Sequence, residues 1–142
     1  MIRLTPEQIS KGWDVIRGPL TTALPSSLGI NAMAMANVLY SLLEERGQLW
    51  VYYKDIESGE PLAIAMTAII NEPISRSRYL LLYAMTAVGS LAKEDYEDGI
   101  DTLRDFAVRN KCSQILTYVE NDARVRQLGS MGIVKVSTLM RL

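Results

Sequence analysis

Three stretches of nearly unbroken apolar sequence constrain this chain more than any other feature: LWVYYKD at 49–55, PLAIAMTAII at 61–70 and YLLLYAMTAV at 79–88. A strand with one wet face alternates apolar and polar residues, whereas a strand covered on both faces reads as a continuous apolar run. The pattern therefore predicts a central sheet with helices on both sides. IESGE, with Gly59, joins the first two runs as a hairpin. The strands are expected at 49–55, 61–71 and 79–88, in one sheet with 114–120 and 133–141.

Helical signals fill the gaps. Thr5-Pro6-Glu7-Gln8 offers an N-cap, a first-turn proline and a capping-box glutamine, opening a helix to about Ile16. GPLTTALPSSLG then reads as a Pro/Gly/Ser-rich connection, and Asn31 caps a second helix through MAMANVLYSLLEE that ends near Gly47. Tyr96, Ile100, Leu103 and Ala107 are spaced for one buried stripe on a helix over 93–109. SQILTYVE, NDARVRQLGSM and IVKVSTLMRL follow as strand, helix and strand, the βαβ order that predicts a parallel pairing. Residues 1–142 are expected to form a single α/β domain.

Composition narrows the chemistry. The formal net charge is −1, which leaves no basic face able to neutralise many phosphates, so nucleic acid is not an expected partner. The chain has no His and one Cys, Cys112, which removes the usual ligands for zinc and any internal disulfide. The lone cysteine fits a reducing cytoplasm. Lys, Glu and Gln interrupt the first dozen residues, unlike a signal peptide, and no apolar run approaches the roughly 20 residues that span a bilayer, so no membrane role is expected.

The element order, together with Asn121, Leu128, Gly132 and Ile133, resembles the GNAT N-acetyltransferase superfamily over almost the whole chain. In that superfamily a short helix carries Asn, a Tyr about seven positions on, then Gly-Phe. Leu128 stands here at the tyrosine position. The resemblance implies a mixed central β-sheet flanked by helices on both faces, with Gly89, Asn121 and Leu128 at positions equivalent to coenzyme-binding ones. Independently of any family, Asn121 and Gly132 also suit simple helix caps.

The same resemblance implies a Q/R-x-x-G-x-G/A turn holding the coenzyme A pyrophosphate on backbone N–H groups at the start of the long helix. VGSLAKEDYEDG, at 88–99, lacks that spacing, and Glu94, Asp95, Glu97 and Asp98 would repel a polyanion there. With Leu128 unable to donate a proton, Glu120 and Tyr118 are the nearby titratable residues left for acid–base work. Arg76, Arg78, Arg124 and Arg126 read as solvated charge, and Met33 and Met35 as packing or interface residues. The chain is similar in tone to small GNAT-like proteins of tailed bacteriophages, including internal virion proteins. That implies a non-catalytic structural or host-interaction role, without cofactor, in the host cytoplasm or the virion, with a protein partner or a second copy. The alternative is a divergent acetyl-CoA-dependent N-acetyltransferase.

Overall fold

The computed structural model describes residues 1–130, 132–138 and 140, apart from the side chain of Gln127. A five-stranded sheet runs in the order β1 (Ile2–Arg3), β2 (Gly47–Tyr53), β3 (Pro61–Asn71), β4 (Arg78–Ala87), β5 (Ile115–Thr117). All neighbours are antiparallel except β4 and β5, which pair in parallel as the βαβ order predicts.

Helices α1 (Pro6–Ala23) and α2 (Ala32–Leu43) cover one face of the sheet, where Ile9, Ile16, Leu20, Met35 and Leu42 meet Leu49, Val51, Ile64 and Met66. Helix α3 (Lys93–Arg109) covers the other, with Leu103 and Ala107 against Trp50, Ala65, Leu80 and Leu82. The unbroken apolar runs thus have the predicted cause: both faces of β2, β3 and β4 are roofed. Helix α4 (Asp122–Ser130) follows β5.

Helix α1 starts as its sequence dictates. Gln8 N–H donates to Thr5 Oγ1 at 3.3 Å, and Thr5 N–H donates to Gln8 Oε1 at 2.8 Å. It does not stop at Ile16, however, but continues through Gly18 and Pro19 to Ala23. An interior proline costs about 3 kcal/mol, and burying Leu20 and Leu24 recovers about 1.5–3 kcal/mol each. Both leucines are buried on the stripe begun by Ile9 and Ile16, so packing overrides the local break.

Two strand expectations need correction. Strand β5 covers 115–117 rather than 114–120, and the described residues of 133–141 lie in no strand. The alternating sequence of that segment supplies strand propensity, but propensity without a neighbouring ladder does not make a strand.

Strand β4 carries a bulge. Met66 pairs with Ala84 and Thr67 with Leu82, which leaves Tyr83 as an extra residue. A bulge shifts the side-chain alternation by one. Accordingly Leu80 and Leu82 face α3, whereas Tyr83 and Ala84 both join the α1–α2 side.

Candidate functional site

Strands β4 and β5 part company at one point. Their parallel pairing ends at Leu82 with Thr117, where Thr117 Oγ1 donates to the Leu82 carbonyl at 3.0 Å. From Tyr83 to Ala87, β4 runs on with β3 on one side and, among the described residues, no strand on the other. The bulge, the open edge and the end of β5 therefore converge in one place.

Tyr83 and Tyr118 flank this divergence, their rings 6.0 Å apart and tilted by 38°. Burial pushes the Tyr83 phenol above its ordinary range, helped by the neighbouring Tyr118 and Tyr79. Tyr118 is exposed. Glu120 is already engaged: its Oε1 accepts from Ser27 N–H at 3.1 Å and from Ser26 Oγ at 2.9 Å. Those bonds, the Ser27 backbone N–H first, hold the carboxyl below the usual glutamate range. Such a carboxylate is a poor proton acceptor, and its evident work is to tether the 3₁₀ turn Ser26–Leu28 to the end of β5.

The helix positions are occupied by capping. Asn121 Oδ1 accepts from Arg124 N–H at 2.7 Å. Gly132, at φ +79°, donates to the Gly129 carbonyl, and Ile133 donates to the Leu128 carbonyl, both at 3.1 Å. That is the Schellman pairing, which needs a left-handed residue such as glycine. Leu128 is half-buried on α4.

Ahead of α3 three backbone donors are engaged within the protein. Val88 and Gly89 N–H both donate to the Leu62 carbonyl, at 2.8 and 3.2 Å. Ala92 N–H donates to Asp95 Oδ2 at 2.8 Å. Alanine has no side-chain acceptor, so only this reverse half of a capping box forms. Tyr52 Oη donates to the other Asp95 oxygen at 3.0 Å. The Ala92 N–H, followed by the Tyr52 hydroxyl, draws the Asp95 carboxyl below its ordinary range. In turn the Tyr52 phenol is raised, by desolvation first and then by its bond to Asp95. Gly99 serves packing instead of ligand approach: a Cβ there would lie 2.8 Å from Met1 Cε.

Of the residues singled out in the sequence, Tyr118, Glu120 and Asn121 follow β5 directly with Tyr118 beside Tyr83, and Gly89 follows β4 with its N–H on the Leu62 carbonyl. The sequence did not single out Tyr83, Tyr52 or the Ser26-Ser27 pair. Two open hollows lie elsewhere. One, of about 430 Å³, lies between α1 and α2 and is lined by Trp13, Arg17, Met35 and Leu39 among others; the second, about 410 Å³, sits beside Arg3, Trp50 and Phe106. Among the described residues no group of three or more His, Cys, Asp or Glu could hold a metal ion, and no helix is long and apolar enough to cross a membrane.

No protein-family model matches the sequence, and no curated protein does. Solved structures match over nearly the whole chain. AAC(6')-Iy, in complex with the bisubstrate analog CoA-S-monomethyl-acetylneamine, has a TM-score of 0.72 at 12% identity, covering 99% of this chain and 94% of that one. A predicted acetyltransferase with acetyl-CoA from Clostridium acetobutylicum has a TM-score of 0.68 at 14% identity, with 99% and 93% covered. Ribosomal-protein-alanine N-acetyltransferase from Brucella melitensis biovar Abortus 2308 reaches 0.66 at 13%, with 99% and 98% covered. The fold of this chain is that of the GNAT acetyltransferases.

Proposed function

We propose that this is a non-catalytic protein of GNAT fold with a structural or protein-interaction role, acting in a larger assembly without a coenzyme. One observation supports the reading: at the head of α3 the Ala92 N–H, one of the donors a pyrophosphate would use, is taken by the protein's own Asp95, which Tyr52 also holds. A coenzyme phosphate would have to displace a carboxylate and then sit beside Glu94, Glu97 and Asp98, against the preference of a helix N-terminus for one compensating anion. With Glu120 engaged and Leu128 aliphatic, the hydroxyls described at the β4–β5 divergence include those of Tyr83 and Tyr118. The setting proposed is the host cytoplasm or the virion of a tailed phage, which is what the similarity in tone of the sequence implies.

A divergent acetyl-CoA-dependent N-acetyltransferase is the second reading. It is favoured by the open β4 edge from Tyr83 to Ala87 and by structural neighbours bound to acetyl-CoA or a CoA-containing analog. Calorimetric titration with acetyl-CoA separates the two. No saturable heat is expected at ligand concentrations up to millimolar. Micromolar binding would replace the first reading with the second.

A further inference from the structure

The hollow beside Arg3, Trp50 and Phe106 lies against the C-terminal half of α3. Thr102, Phe106 and Arg109 line it from that helix at i, i+4 and i+7, the spacing of one face, and Arg3 lines it from β1. Asn110 and Trp50 complete the lining. Its volume of about 410 Å³ falls within the range of small-molecule sites.

The two guanidinium groups are held in place without being used up. Arg3 Nη2 donates to Glu45 Oε1 at 3.1 Å, and its Cζ stands 5.8 Å from the centre of the Phe106 ring. Phe106 in turn meets Trp50 edge to face, with ring centres 5.0 Å apart and planes at 78°. Arg109 Nε donates to the Asp105 carbonyl at 3.3 Å, and no carboxylate among the described residues pairs with Arg109. A guanidinium carries five N–H donors, so both arginines keep most of theirs. The neighbouring donors, by contrast, serve the protein itself: Thr102 Oγ1 donates to the Asp98 carbonyl at 3.0 Å and Asn110 Nδ2 to the Phe106 carbonyl at 2.8 Å. Among the described residues no Asp or Glu lines the hollow.

We propose that this hollow binds a small organic monoanion, a carboxylate carried on an aromatic or other apolar body. The carboxylate oxygens take free N–H groups of Arg109 and Arg3, a pairing that the planar guanidinium fork suits. The apolar body lies on the half-buried Phe106 ring, which Trp50 supports. Charge limits the ligand to one negative unit. Glu45 already offsets Arg3, which leaves Arg109 as the one uncompensated cation of the lining, and Asp98, Asp101 and Asp105 stand on the same helix. A dianionic phosphate would meet those carboxylates without a second free cation to match it. The site lies about 16 Å along α3 from Asp95, counted from Phe106, so it stands whichever way the acetyl-CoA titration falls.

Hydrocinnamate, a phenyl ring on a short carboxylate, is the probe, titrated into the isotope-labelled full chain. Trp13 and Trp50 are the chain's two tryptophans, so two indole N–H resonances in the NMR spectrum report two places, and Trp13→Phe assigns them. The Trp50 resonance should shift saturably with a Kd of about 1 mM or tighter, the range open to so small a ligand. The neutral amide of the same acid and inorganic phosphate should each bind at least about tenfold more weakly. Arg109→Gln and Arg3→Gln should each weaken hydrocinnamate at least about fivefold, and Arg109→Lys, which keeps the charge and loses the fork, should fall between wild type and glutamine. Circular dichroism reports that the variants are folded, and the exposed Arg109 decides alone if Arg3→Gln is not. A shift at Trp13 alone, or none that saturates, would overturn the proposal. So would equal binding of the amide or of phosphate, or wild-type affinity in Arg109→Gln.

Discussion

Thr67 offers the sharpest test of how the sheet holds its bulge. It is fully buried, and its hydroxyl accepts from Trp50 Nε1 and donates to Gln48 Oε1, both at 2.9 Å. It also stands beside the shift that releases Tyr83 from the ladder. Thr67→Val keeps the shape and removes both bonds, leaving an indole N–H and an amide oxygen buried without partners. Each orphaned group costs about 1–3 kcal/mol, and the new methyl returns about 0.8 kcal/mol. The net loss is about 3 kcal/mol, a large share of the roughly 5–15 kcal/mol typical of a domain. Urea denaturation should show a lower midpoint with an unchanged slope, and Tm should fall by roughly 6–12 °C. Thr67→Ser is the control, because it keeps the hydroxyl and loses one methyl, at about 1 kcal/mol. Should the valine variant prove as stable as the serine variant, the hydrogen-bond chain is not what stabilises this site.

Leu128→Tyr should yield no acetyl transfer to peptide, polyamine or aminoglycoside acceptors in a thiol-release assay, since it restores a proton donor to a site whose α3 head is still filled by Asp95. In Asp95→Asn, the Tyr52 phenol loses an anionic acceptor and should titrate closer to the ordinary tyrosine range, as read by ultraviolet difference spectra. Glu120 has a depressed pKa in the folded chain, so its contribution to stability is present above the ordinary glutamate range and vanishes as pH falls through the folded value. Glu120→Gln should therefore lose less Tm than the wild type between neutral pH and about pH 3. Gly132→Ala places a Cβ at φ +79° and should cost roughly 1–2 kcal/mol in denaturant melts, with Gly132→Asn costing less.

The fold was legible in the sequence wherever a single local signal coincided with the global one. The apolar runs named both covered faces of the sheet, Thr5 and Asn31 named two helix starts, and 93–109 matched α3 at both ends. The extension of α1 was hidden because Gly18 and Pro19 are local breakers, and only the burial of Leu20 and Leu24 outweighs them. The β4 bulge was hidden for the opposite reason. In LLLYAM every residue is apolar, so no alternation exists whose break could mark Tyr83. Glu120 and Ser26 lie 94 positions apart, and no periodicity links a strand end to a turn at that distance. The strand expected over 133–141 came from alternation alone, which records a face to bury and says nothing about which edge will receive it.

On the proposed reading, the fold and the altered head of α3 are compatible because they draw on different parts of the helix. The helix is anchored to the sheet by Leu103, Phe106 and Ala107, which pack on Trp50, Leu80 and Leu82. Its first turn, Lys93 to Tyr96, contributes no buried residue, and the bonds that finish it come from Asp95, Ala92 and Tyr52. A glycine-rich phosphate turn is therefore not something the sheet requires. Its substitution by acidic residues lets the helix satisfy its own dipole and leaves the core untouched. The resemblance places a phosphate turn ahead of the long helix and a proton donor on the short helix. On the proposed non-catalytic reading, this chain has there a start of α3 bonded by Asp95, and Leu128, while Glu120 near β5 is engaged by Ser26 and Ser27. On that reading, an activity could be lost at positions that the fold does not need.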